Sequence, residues 1–167
     1  FGTLLHDVGK PGTFVRTDDR LTFYHHEHLG ARMADEICLR LKLSNTERVR
    51  IVWLVEKHQY LAEAERMRPS KLKPVLVHPG IRDLLVLHRA DALASGKDVE
   101  HVEFCERLLH ECTPGDLNPA VLISGNDLLA MGIAQGPRYK QILDAVREAQ
   151  LDGTLTTHAD ALALARR

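Results

Sequence analysis

Leu4-Leu5-His6-Asp7-Val8-Gly9-Lys10-Pro11 opens the chain with an apolar run that ends in a histidine and an aspartate side by side. The run reads as the last turn of a helix, with Gly9 suited to the left-handed C-terminal position and Pro11 forbidding continuation. On a regular helix neighbouring side chains point about 100° apart, so His6 and Asp7 would diverge. At a helix end the backbone is free to bend, and both side chains can turn to one point. An imidazole nitrogen and a carboxylate meeting there are two ligands for a divalent metal. A surface His-Asp pair near a helix terminus also fits these residues, so the rest of the chain has to decide.

The 167 residues, 44% of them hydrophobic, suffice for one domain with a core and a small appendix. A formal net charge of -1 provides no global basic field for nucleic acid, so any RNA contact has to be local. Cys38, Cys105 and Cys112 have neither zinc-type nor disulfide-framework spacing. This odd, sparse set points to a reducing cytosol, and a cytoplasmic location is expected. No apolar run is long enough to span a membrane and no signal-peptide pattern is present, so no membrane partner is expected. The chain lacks an initiator Met, and Phe1 opens inside what reads as a buried helix; a fragment of a longer protein is expected. Of the ten histidines, four fall within residues 6–28.

The periodicity predicts an all-α chain. Residues 12–16 and 21–24 flank a polar turn and read as a small hairpin or an ordered loop. From Glu27 to about Leu41, Leu29, Met33 and Ile37 recur at helical steps, and the small Gly30 and Ala31 allow another backbone to come close. Ser44 and Glu47 form a capping box for a helix from Asn45 to about Tyr60, with His58 on its apolar face. Residues 61–73 read as a polar segment in which Arg66, Arg68, Lys71 and Lys73 gather around Pro69, either a solvated linker or a phosphate-backbone patch. A short helix is expected over Pro74–His78 and a longer one over Ile81–Ser95, carrying Leu84, Leu85, Leu87, His88 and Asp91. Asp91 falls on the apolar stripe, where a carboxylate is seldom buried without a partner.

After a further helix over Asp98–Cys112, Thr113-Pro114-Gly115-Asp116 marks a boundary between a domain of residues 1–113 and a helical module of residues 114–167. In the module a second capping box at Ser124–Asp127 opens a short helix, Pro137 starts a longer one that Gly153 stops, and a third box at Thr157–Asp160 opens the last.

His6, Asp7, His26, His58 and Asp91 therefore sit where helices can converge. Each has a plainer alternative: His58 as a satisfied core histidine, His26 as part of a solvated cluster with His25 and His28, Asp91 as a partner of Arg32 or Arg89. Together they suit Mn²⁺, Fe²⁺, Ni²⁺, Zn²⁺ or Mg²⁺, with no choice among these divalent ions.

Leu5-His6-Asp7-Val8-Gly9-Lys10 resembles the signature of HD-domain metal-dependent phosphohydrolases. Phe23-Tyr24-His25-His26-Glu27-His28-Leu29-Gly30-Ala31 is similar to the F-x-x-H-E-x-x-G-A motif in the HD domains of bacterial tRNA nucleotidyltransferases and their poly(A) polymerase relatives. His58 after Leu54-Val55-Glu56-Lys57 and Asp91 within Arg89-Ala90-Asp91-Ala92-Leu93 match later segments, and Leu122-Ile123-Ser124-Gly125-Asn126-Asp127-Leu128 resembles the L-x-x-G-x-D-L of the nucleotidyltransferase tail. The resemblance implies an HD helical domain followed by the family's C-terminal helical module. It implies a first ion on His6, Asp7 and Asp91, with His26 and His58 lining a second or binding phosphate, and Asp7, Lys10 and His58 as catalytic residues. Lys10 and Arg89 become phosphate contacts, and 2′,3′-cyclic phosphates, nucleotides or phosphomonoesters become substrates. Two departures stand out: a histidine usual on a helix upstream of the His-Asp pair, and the family's N-terminal polymerase head, are both absent from this sequence. By the same resemblance tRNA is the longer parent's partner, with Arg66, Arg68, Lys71, Lys73, Arg138 and Lys140 as backbone contacts. The alternative reading is a non-catalytic body that supports tRNA and keeps only a vestigial HD site.

Overall fold

A computed structural model describes residues 1–166. The described residues are organised by helices α1 (Gly2–Leu5), α2 (His26–Arg40), α3 (Asn45–Lys57), α4 (Pro69–Leu76), α5 (Ile81–Ala94), α6 (Glu100–Glu111), α7 (Pro114–Leu117), α8 (Gly125–Ala130), α9 (Pro137–Leu151) and α10 (His158–Ala165). Strands β1 (Val15–Arg16) and β2 (Leu21–Thr22) pair antiparallel, Val15 opposite Thr22, as the hairpin that the sequence allowed. The all-α expectation holds.

Two compact units emerge, residues 1–65 with 79–106, and residues 66–78 with 107–167. In the first, α2 packs along α3, and Leu5, Ala34, Cys38, Ile51 and Val55 form a buried cluster. Ser44 caps α3 as expected: its hydroxyl accepts from Glu47 N–H at 3.3 Å, and Glu47 accepts from Ser44 N–H at 2.9 Å. In the second unit Ile123, Leu128, Val146, Ala161 and Ala165 form the core between α8, α9 and α10. Asp127 accepts from Ser124 N–H at 2.7 Å, while at α10 the Thr157 hydroxyl accepts from Asp160 N–H at 3.1 Å. Gly153 takes φ +77° just past α9 and lets the chain turn away.

Two local expectations are corrected. Gly9 is not left-handed; its φ of -79° and ψ of -15° are right-handed, and the chain runs on into a 3-10 turn at Lys10–Gly12 that contains Pro11. What Gly9 supplies is absence of bulk: a Cβ there would lie 2.2 Å from the His26 carbonyl oxygen and 2.6 Å from Gly30 N. The segment before Pro74 is not a linker, because α4 begins at Pro69, buries Leu72, Val75 and Leu76, and holds Pro74 inside it. Thr113 caps a helix of its own, α7, with its hydroxyl 3.2 Å from Asp116 N.

The close approach at Gly9 yields a stability prediction. Gly9→Ala has to push backbone rather than side-chain atoms aside, so it destabilises the chain toward or beyond the upper end of the roughly 1–3 kcal/mol typical of overpacking. Urea unfolding checks this, and an unchanged midpoint would contradict it.

Candidate metal centre

The centre lies entirely within the first unit. α1 stops at Leu5, and the freed turn lets His6 and Asp7 bend toward each other, with His6 Nε2 3.2 Å from Asp7 Oδ2. The Gly9 contact sets this turn against the first turn of α2, where His26 Nε2 lies 3.3 Å from Asp7 Oδ1. His58, which ends α3, brings Nε2 to 3.6 Å from the same oxygen and 3.0 Å from His26 Nε2. From α5, Asp91 Oδ1 faces His6 Nε2 at 3.8 Å. The five residues singled out in the sequence thus meet, Asp7, His26 and His58 as a compact set and His6 with Asp91 beside it.

All three imidazoles are anchored the same way. Nδ1–H donates to the carbonyl three residues earlier: His6 to Thr3 at 2.6 Å, His26 to Phe23 at 2.8 Å, His58 to Val55 at 2.6 Å. A carbonyl only accepts, so a proton sits on Nδ1, and in the neutral form of each ring the Nε2 lone pair faces inward. Three lone pairs and a carboxylate then face one another. Burial lowers the pKa of His58, with the Val55 carbonyl pulling the other way and His26 and His6 reinforcing the depression, so extra protonation is disfavoured there. Burial pulls the Asp7 carboxyl up, but the Lys10 hydrogen bond, the neighbouring His6 and His58 and the Lys10 charge hold it below the usual carboxylate range. Such a set calls for a cation. Bonds of about 2.1 Å put neighbouring donors about 3.0 Å apart in an octahedron and about 3.4 Å apart in a tetrahedron. The donor separations of 3.0, 3.3 and 3.6 Å fit that spacing.

Around the cluster, Lys10 Nζ lies 2.5 Å from Asp7 Oδ2 and 5.7 Å from the centre of the Phe23 ring. A cavity of about 450 Å³ opens alongside, lined by Lys10, Phe23, Tyr24, His26, Glu27 and Gln59 among others. Arg89 is partly buried and donates to Glu106 at 2.8 Å. In the second unit Arg68 pairs with Asp152, Lys71 with Glu148 and Lys140 with Asp144, while Arg66 and Arg138 are exposed and Lys73 is partly buried.

The model of the family described as HD domain matches residues 1–96. The chain belongs to the HD domain family. This HD domain and the residues that follow it are similar to an A-adding tRNA nucleotidyltransferase of Deinococcus radiodurans, 33% identical over all of this chain and 41% of the relative. A CC-adding tRNA nucleotidyltransferase of Thermus thermophilus is 32% identical over 96% of this chain and 37% of its own length. A multifunctional CCA protein of Legionella pneumophila is 26% identical over 94% and 38%. The chain therefore spans about two fifths of the length of these curated relatives. No solved structure matches it at a significant level. No helix among the described residues is long and apolar enough to cross a membrane.

One residue of the HD domain was not given a role from sequence. His88 is buried on α5, its Nε2 3.4 Å from the Lys57 carbonyl just before His58, and its ring stands edge-on to His101 at 5.4 Å. Its place four residues after Leu84, on the apolar stripe, was the available signal. Burial pushes its pKa down to about 4, against the pull of the Lys57 carbonyl. Above its ordinary value of 6.5 the ring is neutral folded or unfolded. Below it, the unfolded chain binds a proton that the folded chain refuses, so stability falls as pH drops from 6.5 toward 4. His88→Gln keeps a donor for the carbonyl and removes the titration. Urea midpoints of the variant should fall less than those of the parent between neutral and mildly acidic pH; equal losses would contradict this assignment.

Proposed function

We propose that the HD domain is a metal-dependent phosphohydrolase and that the chain is the HD-bearing part of a tRNA nucleotidyltransferase. The observation that carries the first half is the convergence of Asp7 with the inward-facing Nε2 atoms of His26 and His58, at separations of 3.0–3.6 Å. The second half rests on relatives named for A or CC addition to tRNA that align along nearly the whole chain.

Asp7, His26 and His58 would hold one divalent ion, and His6 with Asp91 would extend the set through the second Asp7 oxygen. The imidazole-rich donors favour Mn²⁺, Fe²⁺, Ni²⁺ or Zn²⁺ over Mg²⁺. When bound, the ion acidifies a water ligand and offsets charge on phosphoryl oxygens. Asp7, its carboxylate held ionised, would serve as an ion ligand and would orient a water in the site. The peptide carbonyls of Thr3, Phe23 and Val55 keep the rings in the tautomer that leaves Nε2 unprotonated. Lys10 places a cation at the mouth of the cavity, where the phosphate of a 2′,3′-cyclic phosphate, a nucleotide or a phosphomonoester would sit. Arg89 is a further phosphate contact once it leaves Glu106. For the longer protein the partner is tRNA and the reaction is addition or repair of its 3′ end, with the basic residues from Arg66 to Lys73 and Arg138 on the RNA backbone.

Elemental analysis and hydrolysis of a 2′,3′-cyclic nucleotide test this reading. Asp7→Ala should lose the ion held at the cluster and lower hydrolysis by roughly 10²-fold or more. Lys10→Ala should keep the ion and weaken hydrolysis. Unchanged metal content in Asp7→Ala, or a metal-loaded parent that hydrolyses none of the three substrate classes, would overturn it.

A further inference from the structure

A second group of donors lies outside the cluster, at the hairpin-to-α2 junction. His25, Glu27 and His28 each offer a ligand atom, all within 4.8 Å of one another. Glu27 Oε1 is central, 3.9 Å from His25 Nδ1 and 3.7 Å from His28 Nε2. The two imidazoles stack at 6.0 Å with only 14° between their planes. Both side chains are largely exposed, at 81% and 64%, so neither is fixed there by core packing. His25 reaches this position from a left-handed backbone, φ 61°, at the N-cap of α2.

We infer that His25, Glu27 and His28 form a second cation site, separate from the Asp7 cluster, for a borderline divalent transition ion such as Zn²⁺, Ni²⁺ or Cu²⁺. The donor set argues for that class: two imidazoles and one carboxylate, where Mg²⁺ and Ca²⁺ would take oxygens. The three donor atoms lie within 4.8 Å of one another, and bringing them to about 3.4 Å needs the exposed His25 and His28 rings to rotate out of their stack toward Glu27. Three protein ligands leave a coordination position open. His25 and Glu27 also line the cavity that Lys10 and His26 line, so an ion held there would lie beside that cavity. There it can take an oxygen of an anionic ligand. The other Glu27 oxygen lies 3.8 Å from His26 Nδ1, which joins the two sites through one carboxylate without sharing a ligand.

Equilibrium dialysis against Zn²⁺ alone, read by elemental analysis, decides the matter on the chain as it stands. The variants are Asp7→Ala and the double variant His25→Gly with His28→Ala, glycine being chosen because it accepts a positive φ. The double variant should hold one equivalent fewer than the parent, with an unchanged urea midpoint. Asp7→Ala should keep that outer equivalent, and Zn²⁺ should still perturb the His25 and His28 ring resonances in its NMR spectrum. Equal zinc in parent and double variant, or loss of the outer ion in Asp7→Ala, would overturn the inference. Because the outer ion is read in Asp7→Ala, its presence does not depend on the Asp7 cluster holding metal or being catalytic.

Discussion

The contact between Gly9 and the start of α2 governs the centre. With no room for a Cβ between Gly9, the His26 carbonyl and Gly30 N, two backbone segments lie against each other with no side chain between them. That approach sets Asp7 opposite His26, and α3, packed along α2, then delivers His58 to the same carboxylate. The small residues Gly30, Ala31 and Ala34 on the buried face of α2 are part of the same device. A bulkier residue at Gly9 would part the two segments, and the donors would separate with them.

Once assembled, the cluster is defined by an electrostatic demand. Each ring spends its Nδ1 proton on a backbone carbonyl, leaving lone pairs turned toward a carboxylate in a site where burial opposes further protonation. Lys10 answers part of that demand through Asp7 Oδ2, and a divalent ion would answer the rest. The carbonyls thus do for ring orientation what outer carboxylates do in many metal sites, and they come from the turn of chain that carries the ring. The arrangement costs no additional side chains, which suits a centre built at helix ends.

Much of this was legible in the sequence because the site residues fall at punctuation points. His6 and Asp7 follow a helix end, His26 begins a helix, His58 ends one that a Ser44–Glu47 box had already opened, and Asp91 sits on a periodic stripe. The misreadings share a cause. Gly9 was given its commonest role at a helix terminus, whereas tertiary packing uses its lack of a side chain. The segment around Pro69 read as polar linker and Pro74 as the start of a short helix, yet Pro69 occupies the first helical position, where its missing N–H costs nothing, and buried Leu72, Val75 and Leu76 carry the helix past Pro74. His88 gave a periodicity signal but no partner signal, because its partner is a backbone carbonyl 31 residues away. That Arg68 and Lys71 pair with Asp152 and Glu148 was not legible either, because those carboxylates lie about 80 residues on and only folding brings them together.

The central claim is that Asp7, His26 and His58 hold a metal ion. Crystals of the chain loaded with Zn²⁺, with diffraction recorded at the zinc absorption edge, test it most directly. An anomalous peak is expected about 2.0–2.2 Å from His26 Nε2, His58 Nε2 and an Asp7 carboxylate oxygen. No peak there, with His26 Nε2 and His58 Nε2 still facing each other near 3.0 Å across a shared proton, would contradict it.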